Sequence, residues 1–357
     1  MKIRFYHETD RQAWDEYVLR HPHGTFFHLS GWKRVVEKSF GHRSFYLVAE
    51  QGERHSPEEH VSGSDTNGSI IGVFPLFTIK SLVFGGSMVS LPFASYGGIL
   101  AESQEIEKAL YQKAVELTKK KSLDYLEIRN GNNALPDLPK KDLYYNFKKK
   151  ILPTEEENLK GIPRKSRRMV RVSMANGLDS ELGRKELLDE FYDLFAFSYR
   201  GFGTPVFAKS YLRNILSEFG ESSSILIIYK NGKPLSGVLS FFFNDEAIPY
   251  YSGASPASRE YAANDYLYWR LMTIAMERGC KSFDFGRSKK DTGPFHFKKH
   301  WGFEPRPLPY QYYLNKLREI PNINPNNPKY QKRIEMWKKL PLWVTKIVGP
   351  RIVKYIP

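Results

Sequence analysis

Apolar positions along this chain recur at a spacing of two, then of three and four, and that alternation of rhythms is run through twice. Ile3 to Tyr6 reads as a strand. Arg11 to Arg20 reads as a helix with Trp14, Tyr17 and Val18 on one face and Asp10 placed to cap it. Gly31 to Lys38 predicts a second short helix, and Ser44 to Ala49 a strand. Residues 50–69 are polar and predict a loop. Ile70 to Thr78 follows as a strand in which Pro75 marks an edge or a bulge. Gly85-Gly86 predicts a turn, Met88 to Leu91 an extended segment closed by Gly97-Gly98, and Leu123 to Ile128 a buried strand. Between them Ser103 to Lys121 is a helix, capped by Ser103 and striped by Ile106, Leu110, Ala114 and Leu117.

The order returns from residue 151. Pro163 opens a helix, and Arg184 to Tyr199 and Lys209 to Phe219 are helical. Ser224 to Tyr229, Pro234 to Phe243 and Ala247 to Ser252 are three strands in succession. Tyr266 to Arg278 is a helix and Lys281 to Phe285 a strand. Helices, strands, a helix and a strand, used twice, predict an α+β chain of two similar domains over residues 1–150 and 151–320. Residues 321–357 form a Pro/Asn linker followed by a basic, apolar tail. No heptad stretch is present, so no coiled-coil arm is expected.

Composition narrows the class. The chain has 357 residues, 41% hydrophobic and 26% charged, which suits folded domains and excludes a disordered chain. The net charge of +15 favours polyanionic partners: nucleic acid, anionic lipid or phosphorylated substrates. The lone Cys280 excludes an internal disulfide and a paired-cysteine zinc site, and no metal is expected. Met1 to Asp10 lacks a signal-like apolar run, and no stretch reaches the roughly 18–20 apolar residues of a spanning helix. A cytoplasmic protein, peripheral at the inner membrane face, is the expectation.

Chemistry concentrates in Phe283-Asp284-Phe285-Gly286-Arg287-Ser288, then Thr292-Gly293, then Phe297-Lys298-Lys299-His300-Trp301-Gly302-Phe303. A buried strand exits through a glycine, carries polar groups at its end and leads to a short helix bearing a lysine. Companion segments are Gly41-His42, Val89-Ser90-Leu91-Pro92-Phe93 with Tyr96-Gly97-Gly98, Arg164-Lys165-Ser166-Arg167-Arg168, Gly203-Thr204-Pro205-Val206-Phe207 and Ala263-Asn264-Asp265. Over roughly residues 10–315 the pattern resembles the FemAB family, in particular its branch associated with PEP-CTERM and exopolysaccharide systems.

The resemblance implies two tandem GNAT-like (acyl-CoA N-acyltransferase-like) domains. It also implies transfer of an amino acid from aminoacyl-tRNA to an amine of a cell-envelope precursor, peptidoglycan or exopolysaccharide, with a lipid-linked form at the membrane among the expected acceptors. It maps the family's transition-state lysine onto Lys298. A fixed cation beside a tetrahedral oxyanion lowers the barrier to acyl transfer, and the expectation is an ammonium projecting into an open groove close to Asp284. Asp284 fits a base for the attacking amine, or equally a structural carboxylate paired with Arg287. Arg287, Ser288, Tyr250, Tyr251, Phe297 and Trp301 are the expected substrate-binding positions. Tyr310 is a further candidate for the cleft, and each tyrosine alone also fits simple packing.

No tightly bound cofactor is implied. Acyl-CoA acting on an amino sugar is the competing donor. Its pyrophosphate needs a helix N-terminus, yet the segment Arg259 to Asp265 lacks glycine and carries a carboxylate where the anion would sit. Arg164, Lys165, Arg167, Arg168 and Arg171 place a basic face on the helix after Pro163, suited to RNA or a pyrophosphate-linked precursor. In residues 329–357, cations alternate with Trp337, Trp343, Ile347 and other apolar residues. That pattern suits an in-plane anchor on an anionic membrane, broken into short pieces at Pro341 and Gly349-Pro350. A binding module for RNA or anionic lipid on a transferase fold is the non-enzymatic alternative.

Overall fold

The structure is a computed structural model that describes residues 1–51, 68–81, 84–130, 135, 138–321 and 328–356, with side chains from 331 onward in the last segment. Most of the polar loop expected at 50–69 therefore lies outside the described residues. The chain divides into two compact units. Residues Met1–Lys141 and Pro309–Ile320 form the first; Asp142–Leu308 and Pro321–Pro357 form the second.

The first unit opens with β1 (Lys2–Phe5), α1 (Arg11–Arg20) and α2 (Ser30–Phe40). It continues through β2 (Arg43–Ser44), β3 (Leu47–Glu50), β4 (Ile70–Phe74), β5 (Leu76–Ser81), β6 (Gly85–Ser90) and β7 (Leu100–Ala101). The long helix α3 (Gln104–Lys120) then crosses to β8 (Tyr125–Ile128). Ser103 caps α3 as its position predicts, accepting from the Ile106 amide at 3.3 Å. Asp10 does not cap α1. Its carboxylate takes the His7 amide at 2.7 Å and the Arg4 guanidinium at 2.6 Å, closing the turn before the helix.

Pro75 divides one expected strand into two. β4 joins a sheet ordered β1-β3-β4-β7, whereas β5 pairs with β6 and β2, so the chain changes sheet at the residue that lacks an amide donor. β6 and β8 run parallel, from Ser87 opposite Tyr125 to Val89 opposite Glu127. The core gathers Leu47, Phe74, Leu76, Met88 and Leu126 with the α3 stripe of Ile106, Leu110, Ala114 and Leu117.

The second unit begins within β9 (Lys140–Lys150), at Asp142 of a strand that its polar composition conceals, followed by α4 (Glu155–Lys160) and α5 (Arg164–Ala175). Next come β10 (Asp179–Gly183), α6 (Leu188–Phe202), α7 (Lys209–Phe219), β11 (Ser223–Lys230), β12 (Lys233–Phe243) and β13 (Glu246–Ala254). Helix α8 (Ala263–Glu277) leads to β14 (Ser282–Lys289), α9 (Gly293–His300) and β15 (Pro305–Leu314), which from Pro309 belongs to the first unit and pairs there with β8. Within the second unit the strands run in the order β10-β11-β12-β13-β14-β9. All neighbours are antiparallel except β13 and β14.

Each unit thus links two parallel strands through one helix, β6-α3-β8 in the first and β13-α8-β14 in the second, because a parallel pair needs a crossover. One face of the second sheet is covered by α5, α8 and α9, where Val170, Leu267, Leu271, Phe283 and Trp301 form the core. On the other face α6 lies so close to β13 that a Cβ at Gly253 would stand 2.4 Å from the backbone of Leu194 and Phe195.

The tail forms α10 (Pro328–Lys339) and α11 (Leu342–Val353), both lying on α6. Pro341 separates them as expected, but Gly349-Pro350 does not break the second: α11 runs through Pro350. Thr345, Gly349 and Val353 face inward, with Gly349 pressed onto the Val206 backbone. Among the described residues no helix is long and apolar enough to cross a membrane.

Candidate active site

The parallel strands β13 and β14 meet only at their first residues, Glu246 opposite Ser282 and Ala247 opposite Phe283. Two bulges account for the parting. In β13 the register against β12 passes from Ser240 opposite Pro249 to Leu239 opposite Tyr251, which leaves Tyr250 as the extra residue. Pro249 has no amide proton, so a strand inside a sheet tolerates it at such an irregularity. In β14 the register against β9 jumps from Asp284 opposite Lys148 to Arg287 opposite Asn146. Gly286 takes φ +64° there, a left-handed conformation that costs glycine little. The two bulges put Tyr250 on one side of the gap and Asp284, Gly286 and Arg287 on the other.

Lys298 comes from α9 to the second bulge. Its Nζ donates to the carbonyl oxygens of Phe285 at 2.6 Å, Gly286 at 3.0 Å and Arg287 at 3.2 Å. An ammonium has three protons, so three main-chain acceptors complete its set. The side chain also lies against the Phe147 ring, 5.3 Å from its centroid, and the residue is only 9% exposed. The expected open groove is therefore not what surrounds this ammonium. It is enclosed, because α9 packs on β9 through Phe295 and on β14 through Phe297 and carries the lysine inward. Burial pushes its pKa down to about 7; Asp284 opposes that shift and Arg287 adds to it.

Asp284 is 2% exposed. Its Oδ1 accepts the Gly286 amide at 2.7 Å and its Oδ2 the side-chain amide of Asn146 at 3.1 Å. Arg287 spreads over the Tyr144 ring at 4.6 Å. Burial raises the Tyr199 hydroxyl, with Tyr250 adding and Arg287 opposing, which brings α6 to the same group of polar side chains. Ser288 is buried, and its Oγ has no partner among the described residues. Sequence reasoning missed Asn146, Tyr144 and Tyr199. The first two lie on the unforeseen strand β9, so no signal marked them.

The remaining expected positions separate. The Tyr251 hydroxyl is committed to Tyr211 at 3.0 Å amid Phe195 and Phe207, so this residue belongs to the packing under α6 and α7. Trp301 is buried, and its Nε1 donates to Asp265 Oδ1 at 3.1 Å; Phe297 packs between Tyr268 and Phe285 behind β14. Tyr310 lies in the first unit, where its hydroxyl donates to the Ser95 carbonyl at 2.5 Å. Arg164, Lys165, Arg168 and Arg171 stand exposed on α5, and Arg167 donates to the Lys160 carbonyl at 3.1 Å. Met169, Val172 and Met174 are exposed on the same helix.

The start of α8 does not fit a pyrophosphate. Its N-cap is Ala262 at φ +51°, not Asn264 or Asp265, and no side chain caps it. The Asp265 carboxylate sits in the first turn, buried enough that its pKa rises, and would repel an anion there. Among the described residues no group of three or more His, Cys, Asp or Glu side chains is placed to hold a metal ion.

Residues 159–299 match the model of the acetyltransferase (GNAT) domain. The lipid II:glycine glycyltransferase of Staphylococcus haemolyticus is 22% identical over 90% of this chain and 93% of its own. Among solved structures, FemX superposes with a TM-score of 0.67 at 16% identity, covering 93% of this chain and 99% of that one. The C-terminal domain of a putative lysylphosphatidylglycerol synthetase from Agrobacterium fabrum superposes with a TM-score of 0.55 at 13% identity, over 86% of this chain and 92% of that one. The domain match and the doubled fold define the class: this is an acyltransferase built on tandem GNAT units. Within that class the chain is similar along nearly its whole length to a lipid II:glycine glycyltransferase and shares the fold of FemX.

Proposed function

We propose that this protein transfers an aminoacyl group from aminoacyl-tRNA to a primary amine of a lipid-linked cell-envelope precursor. The observation that carries the reading is the enclosed Lys298 ammonium at the β14 bulge, within electrostatic reach of the buried Asp284. The amine nitrogen attacks the carbonyl carbon of the aminoacyl ester and forms the new C–N bond. The carbonyl electron pair moves onto oxygen, and Lys298 donates to that oxyanion in place of its longest bond, the one to the Arg287 carbonyl. Asp284 accepts the proton released by the amine. Collapse breaks the C–O bond to the ribose, whose oxygen takes up the proton, leaving an amide and free tRNA.

The exposed cations of α5 suit the phosphates of the donor or of a pyrophosphate-linked acceptor. The donor reading draws support from the start of α8, where Asp265 opposes the pyrophosphate of CoA. Purified protein given charged tRNA is expected to label a lipid-linked stem peptide bearing a free amine, and not its N-acetylated counterpart. Transfer from acetyl-CoA and none from tRNA would reverse the donor assignment. An amino sugar of an exopolysaccharide precursor, offered in place of the stem peptide, tests the other acceptor implied by the sequence pattern.

The tail supports work at a membrane surface. Although α10 and α11 lie on α6, Trp343 remains 65% exposed and Ile347 52%, one turn apart and flanked by Lys339, Lys346 and Arg351. Apolar side chains among cations suit the interface of an anionic bilayer. Replacing both residues by serine should weaken partitioning onto anionic vesicles by roughly tenfold or more, since each loses a buried side chain's worth of transfer energy. Unchanged sedimentation with vesicles would mean that the tail serves only to cover α6.

A further inference from the structure

Asn146 carries a polar atom that neither the fold nor the transfer step uses. The residue sits on β9 opposite Arg287 of β14. Its Nδ2 donates to Asp284 Oδ2 at 3.1 Å. A carboxylate only accepts, so this contact fixes which end of the amide faces Asp284 and turns Oδ1 elsewhere. Oδ1 is shielded from solvent and finds no donor among the described residues. Leaving a buried acceptor unpaired costs free energy, so packing gains nothing from the group in this position.

The surroundings say what would satisfy it. Asp284 already holds the Gly286 amide at 2.7 Å through Oδ1 and the Asn146 amide through Oδ2, which keeps the carboxylate oriented. A carboxylate and an amide oxygen, one braced by the other beside the β14 bulge, present acceptors to a group that has several protons to donate. A primary ammonium has three and also a positive charge that the carboxylate attracts. An acylated amine keeps one N–H and no charge.

We propose that Asn146 Oδ1 and Asp284 together form the receptor for the primary amine of the acceptor, with Asn146 as the residue that distinguishes a free amine from an acylated one. The proposal rests on the aminoacyl-transfer reading and deepens it. It assigns Asn146 a positioning role on the nucleophile before any bond changes.

Two measurements test it. In calorimetry the probe is a soluble stem peptide with a free side-chain amine, set against the same peptide N-acetylated. The wild-type chain should bind the amine form at least about tenfold more tightly, and Asn146→Ala should remove most of that preference. In steady-state transfer Asn146→Ala should lower kcat/KM for the amine by roughly 10- to 100-fold and leave the KM for charged tRNA unchanged. A wild-type chain without preference for the amine overturns the proposal. So does an Asn146→Ala variant that keeps the preference, or one in which donor and acceptor constants fall together. Should the alanine variant not fold, Asn146→Ser, which keeps a short oxygen, is read by the same split. An amine preference that persists in a wild-type chain unable to transfer from tRNA would instead count against the transfer reading and leave the receptor standing.

Discussion

Replacing Lys298 by methionine is expected to lower kcat by roughly 100- to 1000-fold while the KM values of donor and acceptor stay within about twofold, the signature of an interaction made only in the transition state. The ammonium is enclosed by α9 and the β14 bulge, so charge developing on a nearby oxygen would meet a fixed cation in a medium that screens it weakly. The same burial makes the effect depend on pH. With a pKa of about 7, the lysine is mostly charged at pH 6 and mostly neutral at pH 8. If the cation is the working form, kcat should be level below about pH 7 and fall tenfold per unit above it. A profile that stays flat between pH 6 and 9 would sink the role.

Stability moves in the opposite sense. The folded pKa lies below the ordinary 10.5, so between about pH 7 and that value the unfolded chain holds a proton that the folded chain does not. Folding stability contributed by this group therefore rises with pH through that window and is level below it. A methionine at 298 forgoes three carbonyl contacts but also removes the cost of burying a charge, so its melting temperature should rise less with pH through that range than the wild type's does.

The largest effect on stability is expected in the first unit, at Glu127. Arg129, the residue after β8, is 1% exposed and donates to Glu127 Oε1 at 2.8 Å, while Tyr312 donates to Glu127 Oε2 at 3.1 Å. The same guanidinium reaches the Ala94 carbonyl at 2.8 Å and lies 5.1 Å from the Tyr310 ring centroid. It thereby ties down a loop in which Leu91 and Phe93 hold positive φ angles, a conformation that costs residues with a side chain. Glu127→Gln removes the negative partner of a buried guanidinium, and urea denaturation should show a loss of about 3–5 kcal/mol. Removing both partners, as Glu127→Leu with Arg129→Met, should cost less than the two single changes summed, because no charge is then stranded. A single-variant loss below about 1 kcal/mol would show that the pair is more hydrated than its burial implies.

Elements with a strong local signal were legible along the chain. The α3 stripe and its Ser103 cap fall where their spacing puts them, and β11, β12, β13 and α8 appear within a few residues of their expected bounds. The segment from Phe283 to Phe303 stood out for the same reason, since its polar and aromatic residues lie close together in the chain. Strand β9 was not, because Lys140–Lys150 carries five lysines and an aspartate, and only pairing with β14 half-buries its middle. Tyr250 and Tyr251 looked equivalent until a bulge at Pro249 gave them different surroundings. Pro350 looked like a helix break, but contacts with α6 and the Val206 backbone favour a continued helix.

What the sequence determined by itself was the succession of helices and strands, its repetition, and the kinds of side chain available at the signature. Periodicity, caps and turn residues act over a few neighbours, and that information is written locally. Only the tertiary structure decided that Lys298 is enclosed and titrates near neutrality, that Asn146 turns its amide toward Asp284, and that its oxygen is left without a partner. Those properties come from desolvation and from hydrogen bonds between strands far apart in the chain, and a side chain loses its water only when distant segments close over it.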